Sequence, residues 1–544
     1  MKQIDIIKAY REKRSLVVEI NPDMRTEWKR MLSDFGCEKV DTAAHAEEAI
    51  ENAQRSAYDI VLAEYDLGKG KNGQQLLEEL RYQGLLKNSA VYFMVSTETA
   101  VQHVVHAIEY QPDDYINKPV NRDALRPRLD AAVMRKEAMA EVNLALDQKR
   151  PKKAIVACQD LAQSNSPHQL EAKKIMGELL CSQRMYEEAI AVYQSVSGSQ
   201  KPLWARVGIG KALLGLKKLD LAEEQLKAVI KESGLCVEAQ DVLSKVYQAK
   251  GKSELAQQAL IEAVSVSPMS ASRQREMARV SIEANDTNAA VHANRNAIKY
   301  SKNSSQESPN DYANLAASLS QQMNDLDPLP LAEEALEAIQ YANKKFGRHP
   351  VVNMRLDQVS ADVYEGIGKE EEAEQSLNNA LDAFKQLNLD VVENTDVGLC
   401  IDCAKAFMDK GKYDEGEKLL QEVAKLNKDP ELAVSIDKLL REPLTKEGIA
   451  FAAKLNKKGI EYYKQDKYEQ AIISFQKVLK ELPNHTGLNL NLIQCLISKS
   501  KEQTLRDKEI AQIGSCFKRI GELREKSPYA DRLEYLRKRF EKLQ

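Results

Sequence analysis

Several short stretches of this sequence hold residue types that can do chemistry. Gly68-Lys-Gly-Lys-Asn-Gly73 is glycine-rich and basic, a composition that could cradle phosphate. A P-loop, however, needs Gly-Lys followed by Ser or Thr, whose hydroxyl takes the magnesium. Here Gly70 follows Lys69 and Asn72 follows Lys71, which rejects nucleotide binding. His103 and His106 stand at helical spacing, but two histidines without a third ligand make no metal site and read as exposed residues. Cys400-Ile-Asp-Cys403 is a CxxC with neither a second ligand pair nor a βαβ context, so it reads as structural. Arg537-Lys-Arg539 is basic but surrounded by acidic residues, and reads as a solvated helix face.

The elements that must position any site change along the chain. Ser15-Leu-Val-Val-Glu-Ile20, Asp59-Ile-Val-Leu-Ala-Glu64 and Ala90-Val-Tyr-Phe-Met-Val95 are continuous apolar runs of strand length. Between them lie amphipathic stretches, the first carrying Trp28, Met31, Leu32 and Phe35 on one face. Buried runs separated by helices imply a parallel sheet covered on both sides. In such a sheet the functional site lies beyond the carboxyl ends of the strands, where Glu19 and Glu64 fall.

The order of those strand ends resembles the receiver domain of response regulators over about residues 14–133. The resemblance is carried by Glu19-Ile20 followed by Asn-Pro-Asp-Met-Arg25, by Asp59–Glu64 with a loop ending in Asn72-Gly73, and by Ser96 in Met-Val-Ser-Thr-Glu98. Its most specific piece is Pro-Asp-Asp-Tyr-Ile-Asn-Lys-Pro119. The resemblance implies a flavodoxin-like α/β fold with five parallel strands. It also implies Glu64 at the phosphoacceptor position, Ser96 as the hydroxyl, Tyr115 as the switch aromatic and Lys118 as the lysine. Two departures weigh against phosphotransfer. Glu64 stands where the family has aspartate, which moves the acceptor oxygen by about a C–C bond length. Ile20 stands where a second acidic residue would hold Mg²⁺, which wants close octahedral oxygens. Phosphoryl transfer depends on positioning and charge neutralisation, so the expectation is a degenerate pocket with weak or absent Mg²⁺ binding and no other cofactor. Three readings stay open: a vestigial pocket, a permanent carboxylate on Lys118 that mimics activation, or residual phosphorylation, with Asp66 in the following loop as acceptor.

Repeats decide the remainder. Ala154, Ala189, Ala222, Ala256 and Ala290 are spaced 35, 33, 34 and 34 residues apart. Twelve residues before each stand Val142, Gly177, Gly210, Ser244 and Ala278, four of the five being small. This pattern resembles the tetratricopeptide repeat, in which small side chains let paired helices approach and larger ones fill the cleft. Ala332, Ala373, Gly416 and Ala471 continue it less regularly. The expected organisation is an N-terminal extension (1–13), a receiver-like domain (14–133), five tandem repeat units (134–301), divergent helical pairs (302–442), a further unit (443–484) and capping helices (485–544). Leu533, Leu536, Phe540 and Leu543 form the apolar stripe of the last helix. The polar run Ser301–Asn310 reads as a loop dividing the array. No Gly or Pro lies between Leu129 and Lys149, so a long or barely broken helix joins receiver to repeats.

The tetratricopeptide resemblance places the first helix of each pair along a concave groove. Eleven residues before the key alanines stand Lys211, Lys245 and Arg279, with Arg275 and Val207 one turn earlier. Such a ladder would favour an acidic segment or a terminal carboxylate.

Composition sets the outer limits. The chain has 544 residues, a formal net charge of −4, 43% hydrophobic and 29% charged residues, and eight scattered cysteines. The near-neutral balance gives no reason to invoke nucleic acid or a membrane surface. No signal-peptide-like run and no 18-residue apolar stretch occur, and reduced cysteines suit the cytosol. The expectation is a non-enzymatic cytoplasmic signalling adaptor or scaffold that binds proteins, with a homo-oligomer left open. A phosphorylation-driven response regulator with repeat output is the alternative, and a nucleic-acid-binding regulator the remote one.

Overall fold

The computed structural model describes residues 10–97, 101–164, 166–196, 202–347, 350–387, 397–426, 430–500, 505–523 and 527–542. They form two compact units, residues 1–318 and 319–544.

The first unit begins with five parallel strands: β1 (Arg14–Val18), β2 (Lys39–Ala43), β3 (Ile60–Glu64), β4 (Val91–Ser96) and β5 (Asp114–Asn117), in the order β2-β1-β3-β4-β5. Alternate side chains of each strand leave opposite faces, and both faces are covered. Val17, Ile60, Leu62, Phe93 and Val95 pack with Trp28 and Phe35 of α1 (Pro22–Phe35) and with Leu125 and Leu129 of α5 (Arg122–Ala138). Leu16, Val61, Ala63, Tyr92 and Met94 face the other layer, α2 (Ala46–Arg55), α3 (Gly73–Tyr82) and α4 (Val101–Glu109). The extension expected over 1–13 is not separate throughout: Tyr10 is fully buried among Trp28 and Phe35, and its hydroxyl donates to Asp130 at 2.6 Å.

The junction is a barely broken helix. α5 ends at Ala138, and α6 (Ala140–Asp147) starts after the single non-helical residue Met139, itself buried. Side contacts brace it. Lys136 Nζ donates to the Asn88 carbonyl at 2.8 Å, and Asn88 donates to Asp147 at 2.7 Å.

Antiparallel pairs follow: α6 with α7 (Pro151–Gln163), α8 (Gln169–Ser182) with α9 (Tyr186–Gln194), and α10 (Leu203–Gly215) with α11 (Leu219–Glu232). Then come α12 (Val237–Ala249) with α13 (Ser253–Val266), and α14 (Ala271–Glu283) with α15 (Thr287–Ser301). The five key alanines fall on the second helix of each pair and are fully buried. The small residues opposite them serve a different need from the expected small-on-small approach. A Cβ at Gly177 would overlap the ring of Tyr193, and one at Gly210 would overlap Leu226. The glycine makes room for a large side chain of the partner helix, which is where the bulk of the cleft lies.

α16 (Pro309–Gln322) spans the division between the units, so the boundary falls at Ser318 and not within the polar run before it. The second unit continues with α17 (Pro328–Phe346), α18 (Pro350–Gly366), α19 (Glu370–Gln386), α20 (Val397–Asp409) and α21 (Tyr413–Leu426). α22 (Pro430–Asp437), α23 (Lys446–Lys464), α24 (Tyr468–Leu479), α25 (Thr486–Lys499), α26 (Asp507–Ile520) and α27 (Ala530–Glu541) complete it. On α24, Phe475 fills the space that Gly459 of α23 leaves open. Cys400 and Cys403 are buried, unbridged thiols inside α20, and burial pushes the Cys403 thiol up. Leu533 and Leu536 are buried on α27, while Leu543 lies outside the described residues. Among the described residues no helix is long and apolar enough to cross a membrane.

Candidate functional site

The strand register aligns one row of residues just beyond the carboxyl edge of the sheet. Val18 is level with Ala63, Glu64 with Val95, and Ser96 with Asn117. Glu19, Glu64, Ser96 and Lys118 therefore gather in one pocket. The two carboxylates and the serine are buried, Glu19 at 1% and Glu64 at 4% exposure.

Lys118 closes the pocket. Its Nζ donates to Glu19 Oε2 at 2.8 Å and forms an ion pair with Glu64 Oε2. It also lies 5.3 Å from the ring centroid of Trp28, a cation–π contact. The remaining oxygens are engaged too: Glu19 Oε1 accepts from the Asn21 N–H at 2.9 Å, and Glu64 Oε1 from the Asp66 N–H at 3.2 Å. Burial works against the Lys118 ammonium, but Glu19 and Glu64 outweigh it and hold its pKa above the usual lysine value. Burial also pushes the Glu64 carboxyl above the usual glutamate value, with Lys118 opposing. One cation between two buried carboxylates accounts for both directions.

Ile20 adds no polar atom to this cluster. The Asn21 side chain accepts from the N–H groups of Asp23 and Met24 and caps α1, with Pro22 in its first turn. The turn this imposes leaves Ile20 51% exposed, with its Cδ1 over Gly68 of the loop after β3. Asp66 is exposed in that loop and folds back onto the Gly68 N–H at 3.0 Å. Tyr115 is half-buried against the layer of α2, α3 and α4.

The groove residues come out differently from the expectation. Val207 is 1% exposed and packs in the core with Leu226 and Val242, so it offers no contact to a partner. Arg275 is engaged within the chain by Asp311, Nε to Oδ1 at 2.6 Å and Nη2 to Oδ2 at 2.7 Å. Lys211 pairs with Glu238 at 2.6 Å, and Arg279 with Glu276 and Glu283 at 2.7 and 2.5 Å. Lys245 is exposed. The ladder is thus interleaved with its own carboxylates, because acidic residues on the same and neighbouring helices reach it.

Another expectation fails at His106, which is buried and within 3.0 Å of Gln74 Nε2. The side chain of His103 is outside the described set. Among the described residues no group of three or more His, Cys, Asp or Glu side chains is placed to hold a metal. Sequence reasoning put Trp28 in the core without placing it against Lys118. Trp28 lies one turn along α1 from Met24, whose sulfur also approaches Lys118.

Residues 16–130 match the family model of the response regulator receiver domain. Over 89 residues the chain is 34% identical to the transcriptional regulatory protein CiaR of Streptococcus pneumoniae (strain ATCC BAA-255 / R6), which is 16% of this chain and 38% of that protein. The chain therefore spans under two fifths of that relative's length. A two-component response regulator from Clostridium difficile is similar at 23% identity over 23% of this chain and 98% of that one, with a TM-score of 0.21. The C-terminal part of a TPR repeat-containing protein from Cytophaga hutchinsonii is similar at 14% identity over 46% of this chain and 96% of that one, with a TM-score of 0.36. The chain carries a response regulator receiver domain at residues 16–130, followed by an array of helical pairs.

Proposed function

We propose that this protein is a signal-transduction adaptor that binds other proteins through its repeats and whose receiver is not switched by phosphate. The observation that carries this reading is the Lys118 ammonium held between Glu19 and Glu64. In a phosphorylated receiver that lysine would face an added phosphoryl oxygen; here the chain's own carboxylate occupies it. The residues do not fit a magnesium ion. Glu19 spends both oxygens on Asn21 and Lys118, and the neighbouring position is the hydrocarbon of Ile20. An octahedral cation of short reach needs several free oxygens.

The repeats support the adaptor half of the reading, since stacked helical pairs offer extended surface for protein ligands. The self-paired Lys211 and Arg279 limit what a ligand gains there. An acidic segment or terminal carboxylate would have to displace Glu238, Glu276 and Glu283, and exposed pairs of this kind are each worth about 0–1 kcal/mol. Displacement is affordable for a ligand with several carboxylates, and Lys245 is the natural first contact.

The test is uptake of phosphate. Incubation with acetyl phosphate and Mg²⁺ should leave the intact mass of the full chain unchanged. Glu64→Asp alone should also stay unmodified, because Ile20 still supplies no ligand; Glu64→Asp with Ile20→Asp is the variant expected to gain a phosphoryl group. A Mg²⁺-dependent phosphoryl adduct on the wild-type chain would replace this reading with a phosphorylation-driven regulator, and Asp66→Asn would show whether that residue carries it.

A further inference from the structure

The receiver touches the repeats at a second place, far from the junction helix. Glu109 closes α4, and both its oxygens are met by the array. Arg273 Nη2 on α14 donates to Oε1 at 2.7 Å, and Ser267 Oγ donates to Oε2 at 2.9 Å. Arg273 is fixed from the other side as well. Its Nε and Nη2 donate to Asp241 of α12, both at 2.9 Å, and its Nη1 to the Ser267 carbonyl at 3.0 Å. The array thus holds the guanidinium in place and presents one edge for a carboxylate, the arrangement in which arginine recognises carboxylate best. Burial works against both charges. Hydrogen bonds from His106, Arg273 and Ser267 nonetheless hold the Glu109 carboxyl below its usual pKa, and Asp241 and Glu109 hold Arg273 above its own.

A second set of contacts comes from the loop after α15. Gln306 Nε2 donates to Glu78 Oε1 of α3 at 2.9 Å and approaches the Tyr110 hydroxyl at 3.3 Å. Gln75 Nε2 donates to the Lys302 carbonyl at 3.2 Å. Burial pushes the Glu78 carboxyl up to about 7, with the hydrogen bonds from Gln74 and Gln306 opposing it. The fit is polar and incomplete: a cavity of about 150 Å³ remains, lined by Glu78, His106, Tyr110, Met269, Lys299 and Gln306. Polar, imperfectly filled contacts between domains are the kind that open and close, unlike a dry hydrophobic seam.

The helix that carries Gln75 and Glu78 is also the one set against the pocket. Gly73 begins α3 so close to the Glu64 carbonyl that a Cβ there would overlap it, and the Tyr92 hydroxyl pins the Gly73 carbonyl at 2.6 Å. A shift of the β3 backbone at Glu64 would meet α3 directly. Gln74 and His106 join α3 to α4 in turn, at 3.0 Å.

We propose that this face of the repeats is a docking site for the chain's own receiver, a reversible clasp joined through α3 to the state of the Glu64 pocket. The clasp needs no outside partner and stands whether or not the repeats capture another protein. It uses the α3–α4 layer, on the opposite side of the sheet from the junction helix, so the receiver is held at two separated points.

Hydrogen–deuterium exchange on the full chain tests it. Glu109→Lys should speed exchange in residues 267–275 and 302–308 by about tenfold, the scale of one lost charged hydrogen-bond set. Gln306→Ala, a change on a loop, should do the same more weakly. Strands β1 and β3 should keep their protection in both, which shows that the receiver stays folded. Glu64→Gln, which alters only the pocket, should change exchange in the same two array segments. Wild-type exchange in the array segments of both Glu109→Lys and Gln306→Ala would overturn the clasp. An effect of Glu64→Gln confined to the pocket would overturn its coupling to the pocket.

Discussion

Lys118→Met should destabilise the receiver by about 3–5 kcal/mol at neutral pH, the cost of removing one partner from a buried ion pair. The side chain is 13% exposed, and its loss strands the two buried carboxylates that it bridges. Methionine keeps the hydrocarbon against Trp28, so the deficit reports charge and not lost packing. The sign of the pH dependence follows from the two shifts. Lys118 has its folded pKa above the ordinary 10.5, so its stabilisation is fully present below that pH and fades as pH rises through the folded value. Glu64 has its folded pKa above 4.5, so keeping it ionised costs stability at neutral pH, and the cost falls away in acid. The Lys118→Met deficit should therefore shrink as pH falls into the carboxyl range, and adding Glu64→Gln should recover part of it at pH 7. Urea midpoints followed by Trp28 fluorescence, in a Trp204→Phe background, measure all of this. A deficit below about 1 kcal/mol, the range of exposed pairs, would mean that the lysine does not close the pocket.

Gly73→Val should be the next most damaging change in the receiver, at about 1–3 kcal/mol from overpacking. The Cβ would run into the Glu64 carbonyl and the backbone of Tyr65, neither of which can turn aside as a side chain could. α3 cannot simply slide away. Asn72 and Gln75 cap its start reciprocally, and Leu76, Leu77 and Leu80 are buried beneath it. The relief that remains is a tilt of α3, which would carry Gln75 and Glu78 off Lys302 and Gln306. The same urea series gives the energy, and exchange in residues 302–308 should quicken together with it. A variant as stable as wild type, with unchanged exchange there, would mean that α3 is not held against β3 as described.

What could be read in the sequence was whatever is written in local pattern. Three continuous apolar runs, Ser15–Ile20, Asp59–Glu64 and Ala90–Val95, give strands whose carboxyl ends must lie side by side, while Ser96 and Lys118 were placed beside Glu64 only through the resemblance to receivers. The alanine period gave the helical pairs, because each pair repeats one packing problem. Partners far apart in the chain left no such trace. Glu109 and Arg273 are ordinary charged residues 164 positions apart, and nothing near either announces the other. The same blindness misplaced three residues. Val207 sits at a groove-like position but turns inward, Arg275 is claimed by Asp311, and His106 is buried because α4 packs on α3. Ser301–Asn310 looked like a spacer because its polarity marks exposure in a single chain segment, yet it is where the repeats meet the receiver.

The central claim is that the pocket is already filled by the protein's own charges. Trp28 stands 5.3 Å from the Lys118 ammonium and is a built-in reporter of that site. Titrating the Trp204→Phe chain with beryllofluoride and Mg²⁺ should leave Trp28 emission flat to millimolar concentrations, while Glu64→Asp with Ile20→Asp should give a saturable change. A saturable, Mg²⁺-dependent response of the chain with native Glu64 and Ile20 would contradict the account.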